Sequence, residues 1–529
     1  MTRCVAAATR PAVRLTAVVL GVALFGAAGA TVQTPTRQAP LIVVFVVDGL
    51  RPDSINSRDT PTIARLRDAG AEYLNSHSIF PTVTRVNAAA LVTGAHPDAT
   101  GIVGNVMFVA GVNAGAPFNT SDHRSLLKLE EVSGRTVTAQ TLGEVLQMHG
   151  RRLVTLSSGS TGSGFLLNPQ ARHGAGVAIS GMFERGVTAA YPQAASEAIL
   201  QRFGPPPAGE NDAVPRMQWT DTVLRDYVLP ELRPDVVIDW EDGVDSTQHT
   251  FGAGSSQAIE GLKAVDLSIG QTLARIETLG LTSRTDVLVL SDHGFARHAP
   301  AVGVVQALIA AGLKGARDST DVIVASDGEA LLLYVQDHTP ERVAGVARFL
   351  QQQPWAAAIF TAPGTGISGR VPGTFSRDLI HASHATRAAD VIVSLAWTDD
   401  PNEFGVRGTQ TVNTGAGANG HGGLSPWVVH NTLIASGPDF RRQAKISAPA
   451  AIPDLAPTML AILGINDSRG VAGPSAGRIL RELLRDGLAD ARLPARRRVV
   501  TVSAGTYRAS LQISSVAGHD YVDKGWRER

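Results

Sequence analysis

Leu41-Ile42-Val43-Val44-Phe45-Val46-Val47-Asp48-Gly49 sets the architecture of this chain. An unbroken apolar run, mostly β-branched, describes a strand buried on both faces, as in a parallel sheet, and Asp48-Gly49 ends it. Asp48 therefore sits at a strand's carboxyl end. Asp286-Val287-Leu288-Val289-Leu290 repeats the design and delivers Asp292, His293 and Gly294 to the same edge, where open α/β sheets hold their ligands. A third strand, residues 236–238, precedes Asp245 and His249. Those two are four apart, so one helical turn stacks them on a single face.

Thr84 lies in Phe80-Pro81-Thr82-Val83-Thr84-Arg85-Val86-Asn87, just before a plausible helix start at residues 87–92. The amino terminus of a helix offers unpaired N–H groups and a positive dipole end, so an anion held at Thr84 is stabilised there. A threonine hydroxyl is a poor nucleophile until contact with a divalent cation favours its alkoxide. With His421 in Asn419-Gly420-His421-Gly422-Gly423, the set becomes Asp48, Thr84, Asp245, His249, Asp292, His293 and His421. Six carboxylates or imidazoles and one hydroxyl suit two metal ions that share an oxyanion. A strand-end Asp alone is more often a helix cap.

These five segments, in this order, resemble the alkaline phosphatase superfamily and, within it, the type I phosphodiesterase/nucleotide pyrophosphatase family. The resemblance runs over residues 41–484. It implies an alkaline-phosphatase-like α/β core with a mostly parallel central sheet flanked by helices, plus a small inserted α/β lobe. It also implies that Thr84 is the nucleophile and passes through a phospho-threonine. Asp48, Thr84, Asp292 and His293 would hold one zinc ion, and Asp245, His249 and His421 the other. Ligand type alone leaves Mn²⁺ or Fe open. Asn105 is similar to the family's asparagine that binds a phosphate oxygen, beside the Thr84 N–H.

Departures from the family pattern bear on the substrate. Arg85 stands where nucleotide-cleaving relatives often carry a stacking Phe; it either contacts substrate, by stacking or by binding a second anion, or is solvated. The monoesterase branch uses a Lys-x-Arg pair, whereas residues 156–164 here hold neither Lys nor Arg. That points to diesters, pyrophosphates or phosphonates. A phosphomonoesterase or a phospho-alcohol transferase of the same superfamily is the alternative, and a non-catalytic metal-binding protein is a third reading. His298, His381, His384 and His430 read as surface or satisfied core histidines. Residues 157–163 read as a loop with hydroxyl turns.

Residues 1–30 carry Arg3, Arg10 and Arg14, an apolar run and a small-residue end, the pattern of a cleavable signal peptide, with an uncleaved anchor as alternative. Cleavage removes Cys4, the chain's only cysteine, so disulfides play no part. Secretion, or export to a bacterial periplasm, is expected. Lys plus Arg and Asp plus Glu both number 47, and no basic tract offers a nucleic-acid-wrapping surface. The expected partner is a small phosphate ester, with no stable membrane span after cleavage. The expected organisation is a leader (31–40), core (41–295), inserted lobe (296–415), second core part (416–485) and strand-containing tail (486–529). Within the core, residues 159–211 read as loops over the active-site edge.

Overall fold

Every residue of Leu41–Val47 is buried, and the strand is the centre of a nine-stranded sheet. Across that sheet run Ala444–Ile446, Ala71–Tyr73, Leu433–Ser436, Thr285–Leu290, Leu41–Val47, Val236–Glu241, Leu153–Ser157, Val177–Ser180 and Ala190–Tyr191. The five strands from Thr285–Leu290 to Val177–Ser180 are mutually parallel. Leu433–Ser436 and Ala190–Tyr191 join them antiparallel. The computed structural model describes residues 39–182, 190–208, 213–465, 476–488 and 493–528, and the expected signal peptide lies outside them.

Alternation along the central strand builds two cores. Ile42, Val44 and Val46 face one, with Val86 and Leu91 of the helix Thr84–Thr93. Val43, Phe45 and Val47 face the other, with Leu262, Val265 and Ile269 of the helix Ser256–Thr278. Each such side chain contributes about 1.5–3 kcal/mol on burial, so the parallel centre is fixed from both faces. Because parallel strands all end on the same edge, Asp48, Asp292 and the segment after Glu241 meet there.

Residues 159–211 correct the loop expectation where they are described. They form the helix Thr161–Leu167, the strand Val177–Ser180 and the helix Gln193–Phe203. Ser160 caps the first by accepting the Ser163 N–H at 3.2 Å, so hydroxyls that favour turns instead start a helix. Its small residues permit close packing: a Cβ on Gly162 would lie 1.9 Å from the Thr120 backbone oxygen.

A five-stranded sheet follows, ordered Val322–Asp327, Ala330–Val335, Val391–Leu395, Ala356–Thr361 and Phe375–Ser376. The C-terminal residues form an antiparallel meander of Arg496–Ala504, Tyr507–Val516 and His519–Arg527. The Tyr507 hydroxyl donates to the Ala357 backbone oxygen at 2.6 Å, tying the meander to that sheet. Among the described residues no helix is long and apolar enough to cross a membrane.

Candidate metal centre

Gly49, directly after Asp48, adopts φ +70°, and its N–H donates to Asp292 Oδ1 at 3.2 Å. The left-handed turn that favours glycine thus joins the ends of two neighbouring strands. Asp292 Oδ1 also accepts the His293 N–H at 3.0 Å, which leaves Oδ2 facing inward. Asp48 Oδ2 accepts the Trp240 indole N–H at 2.8 Å. Asp48 Oδ1, Asp245 Oδ1 and Asp292 Oδ2 remain buried without a hydrogen-bond partner. Orphaned buried carboxylate oxygens are costly unless a cation or proton meets them.

Three histidines converge on these oxygens by one device. His293 Nδ1 lies 2.9 Å from the Gly294 oxygen, His249 Nδ1 3.0 Å from the Asn419 oxygen, and His421 Nδ1 2.8 Å from the Thr82 oxygen. A carbonyl only accepts, so each Nδ1 carries the proton and each Nε2 presents a lone pair. His293 Nε2 is 3.1 Å from Asp292 Oδ2, 3.4 Å from Asp48 Oδ1 and 3.4 Å from Thr84 Oγ1. His249 Nε2 is 3.3 Å from Asp245 Oδ2, and His421 Nε2 is 3.6 Å from Asp245 Oδ1. Two ligand groups result, Asp245 with His249 and His421, and Asp48 with Asp245 and His293, each with donor atoms within 4.8 Å. Asp245 belongs to both, so it stands between the two positions. The donor set of carboxylate oxygens and neutral imidazoles fits Zn²⁺ and similar dications.

Electrostatics agree with that fit. Burial, then the Asp292, Asp245 and Asp242 carboxylates, raise Asp48 well above the usual carboxylate range, against the Trp240 bond. Burial opposes charge on His293, but Asp292 and Asp245 outweigh it and raise the imidazole. Burial, then the His293 and His249 rings, hold His421 far below its ordinary value. Crowded carboxylates demand positive charge here, and a dication supplies it without a proton.

Thr84 is the first residue of the helix Thr84–Thr93, with Val83 as its cap. Its amide therefore precedes the first intrahelical acceptor. The preceding backbone is fixed by Asn87, whose Oδ1 accepts the Ile79 N–H at 2.9 Å and whose Nδ2 donates to Ser78 Oγ at 2.9 Å. Thr82 Oγ1 donates to the Gly423 oxygen at 2.9 Å and accepts the Gly422 N–H at 3.1 Å, which brings His421 beside Thr84. Asn105 Oδ1 accepts the Arg85 N–H at 2.9 Å, leaving Nδ2 as its donor. Thr84, Arg85, Asn105, Asp245, His249 and His421 all line one cleft of about 380 Å³.

The structure brings all eight sequence-predicted residues, and Arg85, to this place. It adds groups the sequence reading missed. Trp240 orients Asp48 because the strand runs through Glu241 rather than stopping at Ile238. The unexpected strand Val322–Asp327 brings Asp327 to the cleft, where Oδ1 accepts the Val106 N–H at 2.7 Å and steadies the Asn105 loop. Burial raises Asp327 to about 7. His298 is satisfied as expected, by Glu329 Oε1 at 3.0 Å and the Gly417 oxygen at 3.1 Å, yet it also lines the cleft. Alternation of Asp239 and Glu241 about Trp240 is a strand signal that two acidic residues mask; for Asp327 the cue is Gly328, a turn residue between two apolar runs.

The model of the type I phosphodiesterase / nucleotide pyrophosphatase family matches residues 42–396. Human ectonucleotide pyrophosphatase/phosphodiesterase family member 1 is 24% identical over 260 residues, 49% of this chain and 24% of its own. Venom phosphodiesterase of Naja atra is 24% identical over 260 residues, 49% of this chain and 26% of its own. The chain thus spans about a quarter of the length of these curated relatives. Murine ectonucleotide pyrophosphatase/phosphodiesterase 5 superimposes with a TM-score of 0.57 at 17% identity, covering 84% of this chain and 100% of that one. A threonine-to-alanine form of that murine protein, described as inactive, is seen in complex with AMP, with a TM-score of 0.57 at 16% identity. The match over most of the chain, on a fold of the same kind, assigns this protein to the type I phosphodiesterase/nucleotide pyrophosphatase family.

Proposed function

We propose that this protein is an exported two-metal hydrolase that cleaves phosphodiester, pyrophosphate or phosphonate bonds by way of a phospho-threonine. The observation that carries the reading is the convergence of three Nε2 lone pairs on three orphaned carboxylate oxygens, with Thr84 Oγ1 3.4 Å from His293 Nε2. Asp48, Thr84, Asp292 and His293 would hold one ion, and Asp245, His249 and His421 the other. Such ions, when bound, lower the pKa of a hydroxyl or water and stabilise a leaving alkoxide.

The chain's own groups do the rest. Thr84 Oγ1 attacks phosphorus in line, from the first turn of a helix whose dipole favours the phosphoryl anion. Asn105 Nδ2 and the Thr84 N–H donate to a non-bridging oxygen whose charge grows in the transition state. Water then releases the phospho-threonine. Export, and location in a periplasm, rest on the leader pattern of residues 1–30.

Diesters are the preferred class. Among the described residues that line the cleft, Arg85 is the one cationic side chain of Lys or Arg type, and no Phe, Tyr or Trp is there to stack on a base. Burial opposes the charge on Arg85, while the Asp48, Asp327 and Asp245 carboxylates support it. Thr84→Ala tests the mechanism: turnover of bis-p-nitrophenyl phosphate should vanish while bound metal stays near the wild-type level. Near-normal turnover in that variant would mean that metal-activated water, not Thr84, attacks.

A further inference from the structure

A second group of ligand-type side chains sits where the C-terminal meander meets the segment leading to Thr84. His77, His430 and Asp523 each present one donor atom, all within 4.8 Å of one another. They come from three distant parts of the chain. His77 ends the short strand Ser76–His77, His430 follows the helix Pro426–Val429, and Asp523 lies in His519–Arg527. His77 is 2% exposed and Asp523 1%.

The surrounding hydrogen bonds orient these groups as they would metal ligands. His77 Nδ1 lies 2.9 Å from the Ala450 backbone oxygen, so it carries the proton. Nε2 faces Asp523 Oδ1 at 2.8 Å. Two acceptors that close repel unless positive charge joins them, as a proton or as a metal ion. Asp523 Oδ2 is anchored separately, by Ser514 Oγ at 2.9 Å and Gln512 Nε2 at 3.0 Å. A backbone-bonded imidazole and an anchored carboxylate are the outer contacts that fix ligands on a metal.

His430 is the third member of the group. Its ring centroid is 5.1 Å from that of His77. The His430 ring is hydrogen-bonded to the Ser76 backbone; a proton between His77 and Asp523 engages only those two, whereas a cation engages the His430 donor atom as well. A cavity of about 30 Å³, room enough for a water, borders His77 on a side that neither His430 nor Asp523 lines. Two imidazoles and one carboxylate supply three of the four positions of a tetrahedral zinc-like dication.

We propose that His77, His430 and Asp523 form a structural site for a zinc-type transition-metal ion, separate from the catalytic pair, fastening the C-terminal meander to the nucleophile segment. Ser78, next in sequence to His77, is bonded to Asn87 in the Thr84 helix, so the ion also steadies the backbone that aims Thr84.

The test counts Zn²⁺ on protein whose catalytic ligands are removed. Full-length Asp48→Ala/Asp245→Ala protein, stripped by chelator, is reloaded with Zn²⁺ and examined by native mass spectrometry. One ion per chain is expected. Adding Asp523→Asn or His430→Gln should weaken that binding by at least about tenfold, since even outer-shell changes cost 10–100-fold. A zinc-free double variant, or zinc binding unchanged by both additions, overturns the proposal and leaves a plain imidazolium–carboxylate pair. In wild type, Asp523→Asn should lower the zinc count by one with both catalytic ions kept. An unchanged wild-type count also overturns it, and because the reading is a difference, it stands or falls apart from the catalytic assignment.

Discussion

Replacing Asn105 separates two tasks that its amide performs together. Oδ1 accepts the Arg85 N–H at 2.9 Å, which sets the orientation of the amide and leaves Nδ2 for the proposed donation to substrate. The loop does not depend on that side chain: Val106 N–H donates to Asp327 Oδ1 at 2.7 Å, and Thr120 N–H and Oγ1 donate to the Asn105 backbone oxygen at 2.9 and 2.8 Å. Asn105→Ala therefore deletes one donor and spares the fold. One oxyanion donor is worth about 2.7–4 kcal/mol, or roughly 10²–10³ in kcat. Asn105→Asp keeps the acceptor for Arg85 but sets a carboxylate oxygen where the donor was. Lost donation and like-charge repulsion then act together, so Asp should be slower than Ala. Steady-state kinetics on bis-p-nitrophenyl phosphate, with metal content and thermal unfolding measured alongside, give the order wild type, then Ala, then Asp. Asn105→Asp turning over as fast as wild type would refute the oxyanion role. A rise in KM with kcat unchanged would show that the amide binds ground state and transition state equally.

Matched p-nitrophenyl mono- and diesters should show a kcat/KM preference for the diester; a monoester preference that disappears in Arg85→Ala would mean Arg85 replaces the missing Lys-x-Arg pair. Asp245→Ala and His421→Ala should both lower metal content, chiefly at the same ion, and metal analysis of each variant that shows two full equivalents contradicts the ligand grouping. Asp221 is raised to about 6, chiefly by burial, so the folded state holds a proton that the unfolded state has released. Stability then falls as pH rises from the unfolded carboxylate value of ~4 to the folded value, by about 3 kcal/mol over that shift. Asp221→Asn, which keeps an acceptor for Ser268, should flatten this loss in urea unfolding at pH 4.5 and pH 7.5; an unchanged pH slope would place the titration elsewhere.

The parallel centre of the sheet and the residues that gather at the candidate site are legible in the sequence alone. Both are carried by local signals: Leu41–Val47 and Thr285–Leu290 are apolar runs that only a doubly covered strand accommodates, and polar residues follow at their carboxyl ends. Asp245 and His249 declare their shared face by spacing alone. What depends on distant pairing was not legible there. The Trp240 bond to Asp48, the support of the Asn105 loop by Asp327, and the meeting of His77, His430 and Asp523 join residues far apart in sequence. Asp239 and Glu241 hid the end of their strand, since an acidic residue reads as solvated until packing buries it. Residues 159–211 read as loop because glycine and serine favour turns locally, yet the close approach of Thr120 to Gly162 makes their small size a packing requirement. Periodicity reports which face of an element is apolar; which partner covers that face, and which polar group crosses to meet it, is fixed only when the whole chain packs.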